Sequence, residues 1–163
     1  MTTEGPQDQE EVSHVKIFLT LGKDSRILVE LKDDQKIIDL GRRQKVIFHV
    51  AAADRRITSC SIQCLLLFEP DTSLPSLQKG ALVGSWSLLK GTQGITTTLS
   101  GIYLTIPTTN SPDKITVING DVSDVGQTCF VTLMGLAQIE EGKVFTWFLD
   151  PELVLQSGGP CWP

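Results

Sequence analysis

The stretch Ile57–Lys90, ITSCSIQCLLLFEPDTSLPSLQKGALVGSWSLLK, decides how the chain is read. Its opening segment, Ile57 to Phe68, contains neither Gly nor Pro. Cys60, Ile62, Cys64, Leu66 and Phe68 fall on one face at a period of two, and Ser59, Ser61, Gln63, Leu65 and Leu67 fall on the other. That alternation predicts a β-strand, polar on its second face at first and buried on both faces later. Glu69-Pro70 ends it, because proline has no N–H for the ladder. A loop carrying Pro75 and Gly80 follows, and Ala81 to Leu89 reads as a second strand.

Working outward, the same period recurs. Val15 to Leu21 alternates Ile17, Leu19 and Leu21 against Lys16, Phe18 and Thr20, and Gly22-Lys23-Asp24-Ser25 is a hairpin-like turn. Arg26 to Lys32 points Ile27, Val29 and Leu31 inward. Lys36 to Leu40 is short. Lys45 to Ala52 carries Val46, Phe48 and Val50 on one face. Ile95 to Ile106 reads as one strand with Gly101 as a bulge. Lys114 to Ile118, Thr128 to Ile139, Lys143 to Leu149 and Glu152 to Leu155 complete the set, with Trp147 and Phe148 on opposite faces. Residues 1–13 read as a flexible acidic arm, 14–156 as the β-sandwich domain and 157–163 as an irregular tail. Nine to eleven short strands, without a long helical pattern or an internal repeat, predict an all-β, antiparallel two-sheet sandwich, jelly-roll-like.

Composition narrows the function classes. The chain has 163 residues, 40% of them hydrophobic and 20% charged, which suits one globular domain with a real core. No apolar run is long enough for a membrane helix, and the N-terminus lacks the basic and apolar regions of a signal peptide, so cytosolic synthesis is expected. Of the net charge of −5, Glu4, Asp8, Glu10 and Glu11 account for four, so the remainder is near neutral. A dedicated nucleic-acid binder needs a concentrated basic surface. The only basic clusters are Arg42-Arg43-x-Lys45 and Arg55-Arg56. They read as solvated strand ends or, more sharply, as small contact points for an anion such as RNA.

Catalytic and metal patterns are sparse. There is no nucleophile elbow and no phosphate loop. Neither His14 nor His49 stands near a cysteine in sequence, and His49 reads as a surface or partly buried strand residue. Glu30, Glu69 and Asp150 read as solvated charges rather than an acid–base pair. Cys60 and Cys64 lie about 13 Å apart along a strand and cannot bridge each other. With Cys129 and Cys161 they are expected to be buried free thiols, and no zinc spacing occurs. Asp121 and Asp124 place two carboxylates three apart in a loop, a spacing that calcium can use, although the remaining ligands are missing. No other cofactor is expected. Trp86 and Trp147 read as core or interface residues. Trp162, flanked by Pro160 and Pro163, is hard to bury within the domain and points to a neighbouring subunit.

Three segments carry a resemblance. CLLLFEPDTSLPSLQKGALVGSW runs from a strand through a Pro/Ser/Thr loop to Gly and a second strand. ITSCSIQCLLLF enters that strand from a polar stretch. EEGKVFTWFLDPELVLQSGGP has a closing Gly–strand–Glu-Leu–Pro form. Together they resemble the single jelly-roll coat proteins of small icosahedral positive-strand RNA viruses, the plant and satellite type, over 51 of the 163 residues. Asp121 and Asp124 are similar to the carboxylate calcium sites between subunits in some of these shells. The resemblance implies a non-enzymatic, self-assembling capsid protein of the virion or host cytoplasm. It would be a homo-oligomer with no membrane partner, and its contacts would fall on Trp86, Trp162, the 70–80 loop with Pro70 and Pro75, and the 107–112 loop with Pro107 and Pro112. One departure stands out: many relatives have a basic arm that neutralises packaged RNA, whereas this arm is acidic. The alternative is a non-enzymatic β-sandwich binding module, either a viral accessory or movement protein or a carbohydrate or host-factor binder. Tyr103 and the tryptophans would then serve as platforms.

Overall fold

A computed structural model describes residues 12–24, 26–32, 37–40, 44–71, 73, 75–76, 78–88, 95–99, 102–107, 111–120 and 127–155; for 95–99, 102–103, 127 and 152–155 it describes the backbone alone. Among the described residues twelve strands run in chain order: β1 Val12–Leu21, β2 Ile27–Leu31, β3 Ile37–Leu40, β4 Lys45–Ala52, β5 Ile57–Pro70, β6 Lys79–Ser87, β7 Ile95–Leu99, β8 Ile102–Thr105, β9 Lys114–Asn119, β10 Gln127–Ile139, β11 Val144–Leu149 and β12 Glu152–Leu155. The first sheet is six-stranded in the order β2-β1-β4-β9-β8-β7. The second runs β3-β12-β10-β5-β6, with β11 also paired to β10. The all-β sandwich expected from alternation is therefore present. Val12 and Ser13, assigned to the arm, belong to β1.

Most strand pairs among the described residues are antiparallel, and two are parallel. β1 lies parallel to β4, from Val12↔Lys45 to Leu19↔Ala52. β3 lies parallel to β12, from Glu152↔Ile37 to Leu155↔Leu40. A parallel pair needs a long crossover, and the chain supplies one: β1 and β2 are in the first sheet, β3 crosses to the second, and β4 returns beside β1. The expected single strand over Ile95 to Ile106 is instead an antiparallel pair, with Leu99 opposite Ile102. Ser100-Gly101 is turn chemistry as readily as bulge chemistry.

Between the sheets lies a continuous core that includes Ile17, Leu19, Phe48, Val117, Ile62, Leu65, Leu67, Leu133 and Trp147. β5 reaches this core by a device that simple alternation misses. Against β10, Cys64 faces Met134 and Ile62 faces Gly135, so Gln63 is an extra, bulged residue. A second irregularity lies between the pairs Ser59↔Gln138 and Ile57↔Ile139. One inserted residue exchanges the two faces of a strand. Ile62 is buried, but beyond the bulge Leu65 and Leu67 are the buried pair. Cys64, Leu66 and Phe68, expected to share a face with Ile62, are half-buried on the outside.

The freed backbone groups find partners. Ile62 N–H donates to the Pro112 carbonyl at 2.6 Å, and Leu88 N–H donates to the Gln63 carbonyl at 2.8 Å. The Trp147 indole N–H is shared between the Ser61 and Leu136 carbonyls at 3.2 and 3.3 Å. The ring lies over Gly135, directly opposite it in the ladder. A Cβ at Gly135 would stand 1.9 Å from the Ser61 carbonyl oxygen and 2.5 Å from the indole, so only glycine fits.

Candidate functional site

Register decides what the second sheet shows to the outside. Thr132 and Leu66 are paired, as are Phe130 and Phe68, and Met134 and Cys64. Phe68 is also opposite Leu82 on β6, and Met134 is opposite Phe148 on β11. Paired residues project to the same side, and these partners face away from the core. The result is an outer face built from aromatic and aliphatic side chains. Leu82 is 54% exposed, Val144 55%, Phe148 54% and Leu136 38%. The late half of β5, expected to be buried on both faces, divides instead: Leu65 and Leu67 fill the core, while Leu66 and Phe68 are half-buried on the exterior.

A polar cluster borders this face. Lys79 Nζ lies 3.1 Å from Asp150 Oδ1 and donates to Thr132 Oγ1, also at 3.1 Å. The Thr132 hydroxyl donates to Asp150 Oδ1. The ammonium stands 4.8 Å from the centre of the Phe68 ring, a cation–π distance. Asp150, expected to be a solvated charge, is thus the acceptor of a three-residue network, although its side chain remains exposed. Beside it, Glu69, Pro70, Asp71, Lys79, Gly80 and Ala81 line an open depression of about 430 Å³. Gly80 permits this close approach: a Cβ there would be 2.9 Å from the Glu69 carbonyl oxygen. Asp71 shapes the loop beyond β5, accepting from Ser73 Oγ at 2.6 Å and Ser73 N–H at 3.0 Å. These bonds lower its pKa.

The remaining expected site residues are dispersed. Asp121, Asp124, Arg42, Arg43, Cys161 and Trp162 lie outside the described residues, as does the Tyr103 side chain. Trp86 is 5% exposed and belongs to the core, so it offers almost no ring to a subunit contact. It faces Leu65 across the β5–β6 ladder, and that partner points inward. Pro75 and Pro112 are exposed, whereas Pro70 and Pro107 are half-buried. Arg55 is exposed. Arg56 is committed elsewhere: its guanidinium donates to Asp54 Oδ1 at 3.0 Å, to Asp54 Oδ2 at 2.7 Å and to the Leu21 carbonyl at 2.9 Å. The guanidinium is thus anchored in this clasp through Nε and Nη2, while its side chain stays 53% exposed. The Arg56 side chain and the backbone N–H groups of Arg56 and Leu21 hold the Asp54 carboxyl far below the usual carboxylate range.

Cys60, Cys64 and Cys129 are free thiols, and burial raises the pKa of each, Cys129 to about 12. A protonated thiol is a poor nucleophile. Among the described residues, no three of His, Cys, Asp and Glu come together to hold a metal ion. No helix among them is long and apolar enough to cross a membrane.

His49 is a half-buried strand residue, as expected, but its contact with His14 escaped the sequence reading. His14 on β1 and His49 on β4 are 35 residues apart, yet His14 Nδ1 lies 3.0 Å from His49 Nε2. Their rings are nearly parallel at 26°, with centres 5.2 Å apart. Burial is the main cause that lowers the His49 pKa. His14, Lys114 and Lys16 act in the same direction, and Asp113 opposes them. Only the parallel register of β1 and β4 brings the two rings together, and no local signal announces it.

No family model matches the chain, and no curated protein matches it. Among solved structures, a crystal structure of Fet3p, a multicopper oxidase that functions in iron import, aligns with 97% of this chain at 8% identity and a TM-score of 0.33; the chain spans 30% of that protein's length. A likeness this low carries no argument about function.

Proposed function

We propose that this chain is a structural β-sandwich that works by docking onto copies of itself. The observation that carries the reading is the apolar outer face of the second sheet, where Leu82, Leu136, Val144 and Phe148 are exposed. Large exposed apolar patches on a folded domain mark interaction surfaces, and an interface between identical subunits is richer in apolar side chains than ordinary surface. Sequence resemblance adds the specific form: a capsid subunit of the virion, whose shell is held by contacts between sandwiches. The exposed Pro75 and Pro112 turns are further contact points in that assembly.

Light scattering and sedimentation of the purified chain test this. The expected result is a species well above the 17.8 kDa of one chain, with closed particles visible by negative-stain microscopy. Leu82→Asp with Phe148→Asp should return it to a monomer. A wild-type chain that stays monomeric at high concentration overturns the reading.

A second reading, a β-sandwich binding module, draws support from one groove. Between β2 and β11, Ile27, Val29, Phe145, Trp147 and Phe148 line a space of about 390 Å³ with the exposed Arg26 at its margin. Such a module would remain small in solution and would lose its ligand on Val29→Arg.

A further inference from the structure

We propose that His14 and His49 form a two-nitrogen chelate for a late first-row divalent cation, with water completing the coordination shell. The chain has two histidines, and the fold sets them in contact across adjacent strands. Neither is needed there for packing: His14 is exposed and His49 half-buried, both on the outer face of the first sheet.

The spacing suits the role. Imidazole nitrogens bind zinc at about 2.0–2.1 Å, so two of them on one ion stand about 2.9 Å apart at a right angle and about 3.3 Å apart at a tetrahedral angle. The separation of Nδ1 and Nε2 is 3.0 Å. The backbone beneath is rigid, since β4 is bonded to β1 on one side and to β9 on the other. A site on such strands is held in place before the ion arrives.

Proton accounting is simple. In the empty pair one of the two facing nitrogens carries the proton shared between them. On binding, that proton moves to the far nitrogen of the same ring, and both facing lone pairs go to the ion. Two neutral rings therefore release no net proton. Lys16, paired with His49 across the ladder, and Lys114, paired with it on the other side, oppose a cation, while Asp113 favours one. Imidazole donors suit nickel, copper and zinc rather than calcium or magnesium, which take oxygen ligands.

Calorimetric titration of the full chain with Ni²⁺ alone, above the ordinary histidine range, tests the site. Saturable binding of one ion per chain is expected. Loss of a group that merely hydrogen-bonds to a metal ligand costs about 10–100-fold in metal affinity, so His14→Gln and His49→Gln, which remove a ligand itself, should each weaken binding by at least about tenfold. The double variant should be little worse than either single variant. Undiminished binding in either single variant overturns the chelate. Because a substitution can disturb the strand, the unaltered chain gives a second readout. Substoichiometric Ni²⁺ should broaden the imidazole NMR signals of both histidines together, and broadening of one ring or neither overturns the proposal.

Discussion

The two sheets share a core but differ on their outer faces. Outside the first sheet, His14, Lys16, Glu30, His49 and Lys114 are interspersed with Phe18, Ile47 and Thr116. Outside the second, the central ladder is Phe68, Leu66 and Cys64 against Phe130, Thr132 and Met134, flanked by Leu82 and Phe148. An antiparallel sheet in a two-layer sandwich ordinarily packs one face and wets the other. The first sheet follows that rule. The second departs from it because β5 and β10 are apolar on both sides. Strand pattern therefore separates a sheet that needs one partner layer from a sheet that has surface for two.

The largest way to break this comparison lies at Gly135. Its ladder position faces the bulge that exchanges the faces of β5, and the Trp147 ring covers it. Gly135→Ala places a methyl group inside backbone and indole contacts. Overpacking typically costs about 1–3 kcal/mol and occasionally more; an obstruction by backbone should fall at or above the upper end. Urea denaturation should show a large drop in midpoint for G135A. If its midpoint equals that of the wild type, the bulge does not set which leucines are inside.

The next test separates the two outer faces by charge. Leu82→Asp alone should weaken self-association with little loss of fold stability, since surface changes are usually worth within about 0.5 kcal/mol. Thr116→Asp, on the outside of the first sheet, should leave association unchanged. Sedimentation equilibrium reads both. Equal effects would mean that the two faces do not differ in the way that the apolar ladder implies.

How much of this is legible in the chain itself depends on the strand. β1, β4 and β9 alternate without interruption, and their buried sets, such as Val46, Phe48 and Val50, are those that a period of two selects. β5 defeats the same rule because Gln63 carries no mark of a bulge: neither Gly nor Pro is near it. Its partner Gly135 is visible in sequence, but its role depends on a strand more than seventy residues away. Parallel pairing of β1 with β4 is a long-range choice that local pattern does not encode, and the histidine contact is hidden with it. Trp86 illustrates the opposite error, since its type suits a core and an interface equally and only its inward partner Leu65 decides.

A smaller effect is expected at the turn joining β10 to β11. Gly142 has φ +85°, and its N–H donates to the Ile139 carbonyl at 2.8 Å. A Cβ there meets nothing within 4 Å, so the cost of Gly142→Ala is backbone strain alone, about 1–2 kcal/mol. Thermal unfolding should register a modest loss while association through Leu136 and Phe148 persists. Loss of assembly at unchanged stability would instead place the hairpin tip inside the contact.

The last test concerns the clasp that joins the end of β1 to the entry of β5, and so ties the polar-faced sheet to the apolar-faced one. Asp54 accepts from Leu21 N–H at 3.1 Å and from the Arg56 backbone N–H at 3.0 Å, besides its bonds to the guanidinium. Its folded-state pKa is depressed from 3.8, chiefly by the Arg56 side chain. A depressed carboxyl contributes stability that is complete above its unfolded pKa and fades as pH falls through the folded one. The wild type should therefore be more stable than Asp54→Asn at neutral pH, with the margin shrinking on acidification below about pH 4. Urea midpoints of both chains across that range measure it. A margin that stays constant with pH would show that Asp54 acts through hydrogen-bond geometry that asparagine also lacks. A margin that grows with acid would reverse the sign and remove the ion pair from the account of how the two layers are held in register.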